Sequence, residues 1–212
     1  MNLRVRILDY GVGNIHSVTR AFSIFTDDVS VAKDSKDIET ATHLVLPGVG
    51  AFGTAVDQIR KRGLEESVMN FAENGRPLLG ICVGMQIMAE TGYEDGTHTG
   101  LGLFAGEVQN LANRKLDASV LIPNMGWRGV TSTHEVETSD QELVPGEKRS
   151  YYFAHSYEFL PSDPHNVSAV TDFYNHSIVA AVQNNNTFGV QFHPEKSGAD
   201  GLRIMERFLS FR

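Results

Sequence analysis

Gly80-Ile81-Cys82-Val83-Gly84 is the stretch on which the reading of this chain turns. It ends an apolar run of strand length, residues 77–81, and opens residues 84–89, which read as the start of a helix. G-x-C-x-G between a strand and a helix is the cysteine form of a nucleophile elbow. A nucleophile on so tight a turn has a strained backbone, and glycines two residues to either side leave room for it. The turn lifts the sulfur clear of a sheet, and a helix N-terminus beside it favours thiolate over thiol. The Val83 N–H then faces the place where a carbonyl oxygen would become an oxyanion. The plainer alternative is a buried cysteine between packing glycines.

The flanking sequence supplies the rest of an α/β fold. Residues 4–9 read as a buried strand, and Gly11-Val12-Gly13-Asn14 as a turn whose asparagine can cap a helix. That helix places Ile15, Val18, Ala21, Phe22 and Phe25 on one face. Strands follow at 29–32 and 43–46. Leu64, Val68, Met69, Phe71 and Ala72 then mark a helix that Gly75 closes. Strands alternating with helices imply βαβ units, hence a mostly parallel central sheet flanked by helices. The second half is richer in strands, at 151–154, 167–171, 178–183 and 187–192, an additional antiparallel region. Asn184-Asn185-Asn186 suits a hairpin between the last two, because asparagine tolerates left-handed backbone. Residues 199–211 close the chain as a helix burying Leu202, Met205, Phe208 and Leu209, while 131–150 read as surface loop. Without repeat or linker, residues 1–212 are read as a single domain.

Composition excludes whole classes. Eighteen Lys and Arg against 26 Asp and Glu leave a net charge of −8, with no basic cluster, which argues against nucleic acid. The one cysteine cannot form an intrachain disulfide, which suits the cytoplasm. No apolar stretch is long enough to cross a membrane, and the first residues lack the pattern of a signal peptide. A dinucleotide fingerprint from Gly11-Val12-Gly13 would need a third glycine where His16 stands. His134-Glu135 lacks the second histidine of H-E-x-x-H, since Thr138 occupies that place. Neither a cofactor nor a metal is expected.

His193-Pro194-Glu195 supplies what a thiol nucleophile requires. In an extended segment residues i and i+2 project to the same side, so Glu195 can reach and orient the His193 ring. Pro194 keeps His193 out of helical backbone. His155, in Ala154-His155-Ser156, is the competing base; the other histidines read as surface or packing residues. The glycine-rich stretch 46–52 follows a parallel strand and would emerge at the same sheet edge as Cys82, where a peptide N–H could become a second oxyanion donor.

Assembled, these residues resemble the class-I, triad-type glutamine amidotransferases, and more narrowly the family of glutaminase subunits of imidazole glycerol phosphate synthase. The resemblance runs through nearly the whole chain. It is carried by Asp9-Tyr10-Gly11-Val12-Gly13-Asn14, residues 46–52, Gly80-Ile81-Cys82-Val83-Gly84-Met85-Gln86 and Gly100-Leu101-Gly102-Leu103. Pro123-Asn124-Met125-Gly126-Trp127, Tyr152-Phe153-Ala154-His155-Ser156-Tyr157 and residues 191–198 complete it. It implies that Cys82 attacks the side-chain amide of glutamine, that His193 passes the proton to departing ammonia, and that Glu195 orients His193. It further implies Val49 and Val83 N–H groups as the oxyanion hole, and Gly48 with Gln86 as holders of substrate glutamine. The ammonia would pass to a separate (β/α)8-barrel cyclase subunit, in a heterodimer that makes imidazole glycerol phosphate and an aminoimidazole carboxamide ribonucleotide for histidine biosynthesis. Within the resemblance Val83 replaces a usual leucine, Arg128 a usual asparagine and Glu158 a common aromatic or neutral residue, the last two in segments expected near the partner. A paralogous subunit feeding amidination of a surface sugar, another cysteine hydrolase, and a non-catalytic regulatory subunit remain as alternatives.

Overall fold

The computed structural model describes residues 3–114, 120–133, 142–144, 146 and 148–212. In chain order the elements are β1 (Val5–Leu8), α1 (Ile15–Phe22), β2 (Val29–Ala32), α2 (Ser35–Thr40), β3 (His43–Gly48), α3 (Phe52–Lys61), α4 (Glu65–Glu73), β4 (Leu78–Cys82) and α5 (Val83–Gln86). There follow β5 (Ala89–Gly92), β6 (His98–Thr99), β7 (Phe104–Asn110), β8 (Asn124–Ser132), β9 (Arg149–His155), β10 (Tyr157–Pro161), β11 (Val167–Phe173), β12 (His176–Asn184), β13 (Thr187–Val190) and α6 (Gly198–Phe208).

One large sheet has the order β2-β1-β3-β4-β13-β12-β11-β8-β9. From β2 to β13 the pairings are parallel. From β13 outward they are antiparallel. The change of direction follows from the connections. βα units return the chain to the same edge each time, whereas a two-residue turn brings β12 back as β13. In that turn Asn184 pairs with Thr187 and Asn185 takes φ 51°, the left-handed backbone expected of asparagine. β3 and β4 are buried along their whole length, as strands covered on both faces must be. A second sheet, β10-β7-β5-β6, packs beside the first.

Several details differ from the sequence reading. Asn14 does precede α1, but its side chain makes no capping hydrogen bond. The helix after Cys82 is only the four residues of α5. Beyond Gln86 the backbone finds partners elsewhere: Leu101 N–H donates to Ile87 O at 2.8 Å and Phe104 N–H to Met88 O at 3.0 Å, so the chain leaves the helix for β5. Of the expected surface loop at 131–150, residues 131–132 and 149–150 are strand, and Leu143 and Val144 are buried. His134, Glu135 and Thr138 lie outside the described residues. Among those described, no helix is long and apolar enough to cross a membrane.

Candidate active site

Cys82 closes β4 with its backbone at φ 54°, ψ −112°, a conformation that costs a non-glycine residue about 1–3 kcal/mol. Close packing holds it there. A Cβ on Gly84 would lie 1.8 Å from Leu46 O, and one on Gly80 would lie 2.6 Å from Gly84 O. Only hydrogens fit between these backbones, so the glycines let the turn close against β3. Gly84→Ala is therefore expected to destabilise the protein by about 3 kcal/mol or more, because the atom it would strike is backbone. Denaturant unfolding measures this, and a loss below about 1 kcal/mol would refute the packing argument.

Gly48 pairs with Cys82 across the parallel sheet, so stretch 46–52 emerges beside the sulfur, at the sheet edge expected for it. Gly48 is pressed against the elbow, 2.3 Å separating its would-be Cβ from Gly84 N. Val49 is 38% exposed and forms the open tip of the loop. The buried Tyr10 hydroxyl donates to Pro47 O, and a Cβ on Gly13 would lie 3.0 Å from the same oxygen. The Gly11-Val12-Gly13 turn thus braces this loop.

His193 comes from the segment after β13. Phe192 stacks on Tyr151 at 4.1 Å between ring centroids and meets Phe153 edge-on at 5.7 Å. His193 N–H donates to Tyr152 O, 2.9 Å, and the Ser197 hydroxyl receives Tyr152 N–H while donating to His193 O. The histidine is therefore clamped to β9 before its ring is considered. Its Nδ1 is 2.9 Å from Glu195 Oε1. Only His193 keeps the extended backbone expected of the pair, with φ −99° and ψ 94°; Pro194–Lys196 form a 3-10 turn, and it is this turn that brings the carboxylate back to the ring. Burial alone would lower the His193 pKa. Hydrogen bonds to Cys82 and Glu195 and the negative charge of both outweigh it and raise the ring to about 9. At neutral pH the ring is therefore held as imidazolium beside the sulfur, with Glu195 behind it.

The competing base, His155, is engaged at both nitrogens. A carbonyl can only accept, so Nδ1 carries the hydrogen it gives to Tyr157 O at 2.7 Å. Nε2 then accepts from Asn124 Nδ2 at 2.9 Å. Burial pushes its pKa down to about 4, leaving it neutral. Without a free lone pair it cannot deprotonate Cys82. His43 is likewise buried and neutral, its pKa lowered to about 4 chiefly by burial, and it bonds the Phe211 carbonyl. It is a packing residue.

A cleft of about 330 Å³ opens over the sulfur, walled by Val49, Val83, Gln86, Glu94, Tyr157 and His193. Both hydrogens of the Gln86 amide nitrogen are committed, to Tyr157 O at 2.9 Å and Gln191 Oε1 at 3.0 Å. Gln86 can thus offer the cleft only its oxygen, as an acceptor. Two residues were not read from the sequence. Glu94 Oε2 takes the Phe52 N–H at 2.7 Å and so caps α3 while facing the cleft. Gln191 Nε2 donates to Cys82 Sγ at 3.6 Å. Period-two spacing back from His193 could have found Gln191. The side chains flagged near the partner turn inward: Glu158 is buried against Arg114, and Arg128 Nε donates to Asn124 Oδ1 at 3.0 Å.

A cysteine, an imidazole and a carboxylate in this order, with a strained elbow and a cleft above it, can split an amide through a thioester. The family model for class-I glutamine amidotransferases matches residues 6–210. The chain belongs to the class-I glutamine amidotransferases. Among curated relatives of this amidotransferase, the imidazole glycerol phosphate synthase subunit HisH of Rhodopirellula baltica is 42% identical over 206 residues, 97% of each chain. The subunit HisH of Salinibacter ruber is 42% identical over 208 residues, covering 96% of this chain and 93% of that one. Solved structures share the fold: PurLQS from Thermotoga maritima matches with a TM-score of 0.75 at 22% identity, over 99% of this chain and 98% of that one. The glutaminase domain of Trypanosoma brucei CTPS with bound acivicin gives 0.63 at 16% identity, over 100% and 95%.

Proposed function

We propose that this amidotransferase hydrolyses glutamine to glutamate and ammonia as the glutaminase subunit of an imidazole glycerol phosphate synthase, in the cytoplasm. The observation that carries the chemistry is that Cys82 and His193 line one cleft, with Glu195 Oε1 2.9 Å from Nδ1 of that imidazole. Cys82 attacks the glutamine side-chain carbonyl and the N–H groups of Val49 and Val83 hold the oxyanion. His193 protonates the departing ammonia, and then draws a proton from the water that breaks the thioester. Gly48, packed against the elbow without a side chain, seats the loop that holds the substrate, and the Gln86 oxygen accepts from a substrate N–H.

The partner follows from chemistry. Ammonia released into neutral water becomes ammonium and is no longer nucleophilic, so a glutaminase serving a synthase must deliver it enclosed. Met125 and Trp127, 59% and 56% exposed, stand on β8 near the cleft mouth and offer an apolar contact surface. The relatives bear the name of a synthase subunit, and the occupant of that surface is a (β/α)8-barrel cyclase subunit. Docking there would complete the oxyanion hole by turning the peptide of residues 47–50. Glutamine hydrolysis assayed with and without the cyclase subunit and its nucleotide ligand is expected to rise about a hundredfold on docking. Equal rates would sink the coupled reading, and peptide cleavage without glutamine turnover would point to another cysteine hydrolase.

A further inference from the structure

A chain of hydrogen bonds runs from Arg128 on β8 to the sulfur of Cys82, and the direction of donation can be followed through each link. Arg128 can only donate, and its Nε meets Asn124 Oδ1 at 3.0 Å. The Asn124 nitrogen therefore faces His155, and His155 Nε2 accepts at 2.9 Å. The His155 hydrogen stays on Nδ1 and goes to Tyr157 O at 2.7 Å. The same carbonyl accepts from Gln86 Nε2, which sets the orientation of that amide and turns its second hydrogen to Gln191 Oε1 at 3.0 Å. Gln191, wholly buried, is left with its nitrogen 3.6 Å from Cys82 Sγ. No link has two donors or two acceptors facing each other.

The elbow needs such a donor. With only one turn in α5, little helix dipole is available to the sulfur. We propose that Gln191 is a further catalytic residue, its amide donating to the thiolate of Cys82, and that Arg128, Asn124, His155 and Gln86 are the positioning residues that fix this orientation. The bond is strongest while sulfur carries negative charge. That is the case before attack, and again when the thioester C–S bond breaks and its electron pair returns to sulfur. The proposal rests on Cys82 being the nucleophile of glutamine hydrolysis.

Because the chain has one cysteine, iodoacetamide alkylation of the full-length protein reads this thiolate alone. Gln191→Glu keeps the shape and an oxygen for Gln86, and replaces the donor with an acceptor. It is expected to slow alkylation at neutral pH about tenfold or more, and to lower kcat for glutamine by a similar factor with KM little changed. Should that variant fail to fold, Gln191→Met provides the same comparison. Nitrogen NMR of the unsubstituted protein is expected to place the His155 hydrogen on Nδ1, and Asn124→Asp, which opposes Nε2 with an acceptor while Tyr157 O still takes the Nδ1 hydrogen, to add a second hydrogen at Nε2. An unchanged alkylation rate in the Gln191 variants removes the catalytic role, and an Nε2 hydrogen in the unsubstituted protein removes the positioning chain. A Cys82→Ala protein that still turns over glutamine would remove the nucleophile itself, an outcome separate from both.

Discussion

Cys82→Ala is expected to lower glutamine hydrolysis by a factor on the order of 10⁴ or more while leaving the protein folded. The size of the loss follows from the sequence and the site together. The chain contains one cysteine, so no second thiol can take over. Without a covalent intermediate, water would have to attack the glutamine amide directly. The sulfur's neighbours, His193 and Gln191, would then have no atom to act on. The fold survives because alanine occupies the same space as the Cβ of cysteine, and the strained φ is imposed by Gly80, Gly84 and β3 rather than by the thiol. Glutamate release and circular dichroism are the two measurements. A folded variant that retains more than about a hundredth of the activity would place the nucleophile elsewhere. A glutamine-mimicking electrophile offers the complementary test in the unsubstituted protein, where the adduct is expected on Cys82.

The parallel half of the sheet was legible in the sequence because its strands are buried on both faces. They read as short apolar runs bounded by glycine, proline or asparagine, and Val29–Ala32 was placed to the residue. What was missed depends on distant partners. α3 has no capping side chain of its own, because Glu94 supplies the acceptor from 42 residues away. β8 carries Gly126 and Gly129 and follows Pro123, a pattern that reads as turn until β9 and β11 pair with it. The apolar stretch after Cys82 has no local signal to end its helix at Gln86; residues 101–104 end it by taking the backbone hydrogen bonds. The same distinction divides the site. The elbow and His193-Pro194-Glu195 are local patterns visible in the sequence, although the second turns through a 3-10 helix at Glu195 instead of staying extended. The chain of donors from Arg128 joins four separate stretches, 124–128, 155–157, 82–86 and Gln191, and became visible only when the fold brought them together.

Glu195→Gln is expected to reduce glutamine hydrolysis by about 10³-fold without displacing His193, and the geometry gives the reason. Glu195 Oε1 accepts the Nδ1 hydrogen at 2.9 Å, so Nε2 is the nitrogen left to exchange a proton with Cys82 and with ammonia. The carboxylate is 1% exposed, hence its charge is felt by the ring with little screening. Glutamine at this position keeps at most one neutral acceptor. If its oxygen faces Nδ1, the ring keeps its tautomer but loses the anion that helps raise its pKa to about 9, so the imidazolium becomes scarcer at neutral pH. If its nitrogen faces Nδ1, two donors oppose each other and the ring is driven to the Nε2–H tautomer, which cannot take the thiol proton. Either orientation impairs proton exchange between His193 and Cys82. The pH profile separates this from a structural defect. Loss of the Glu195 charge lowers the His193 pKa, so the alkaline limb that reports deprotonation of the imidazolium should move to lower pH. A profile unmoved from the parent, with activity within about tenfold, would mean that Glu195 neither orients nor charges the base.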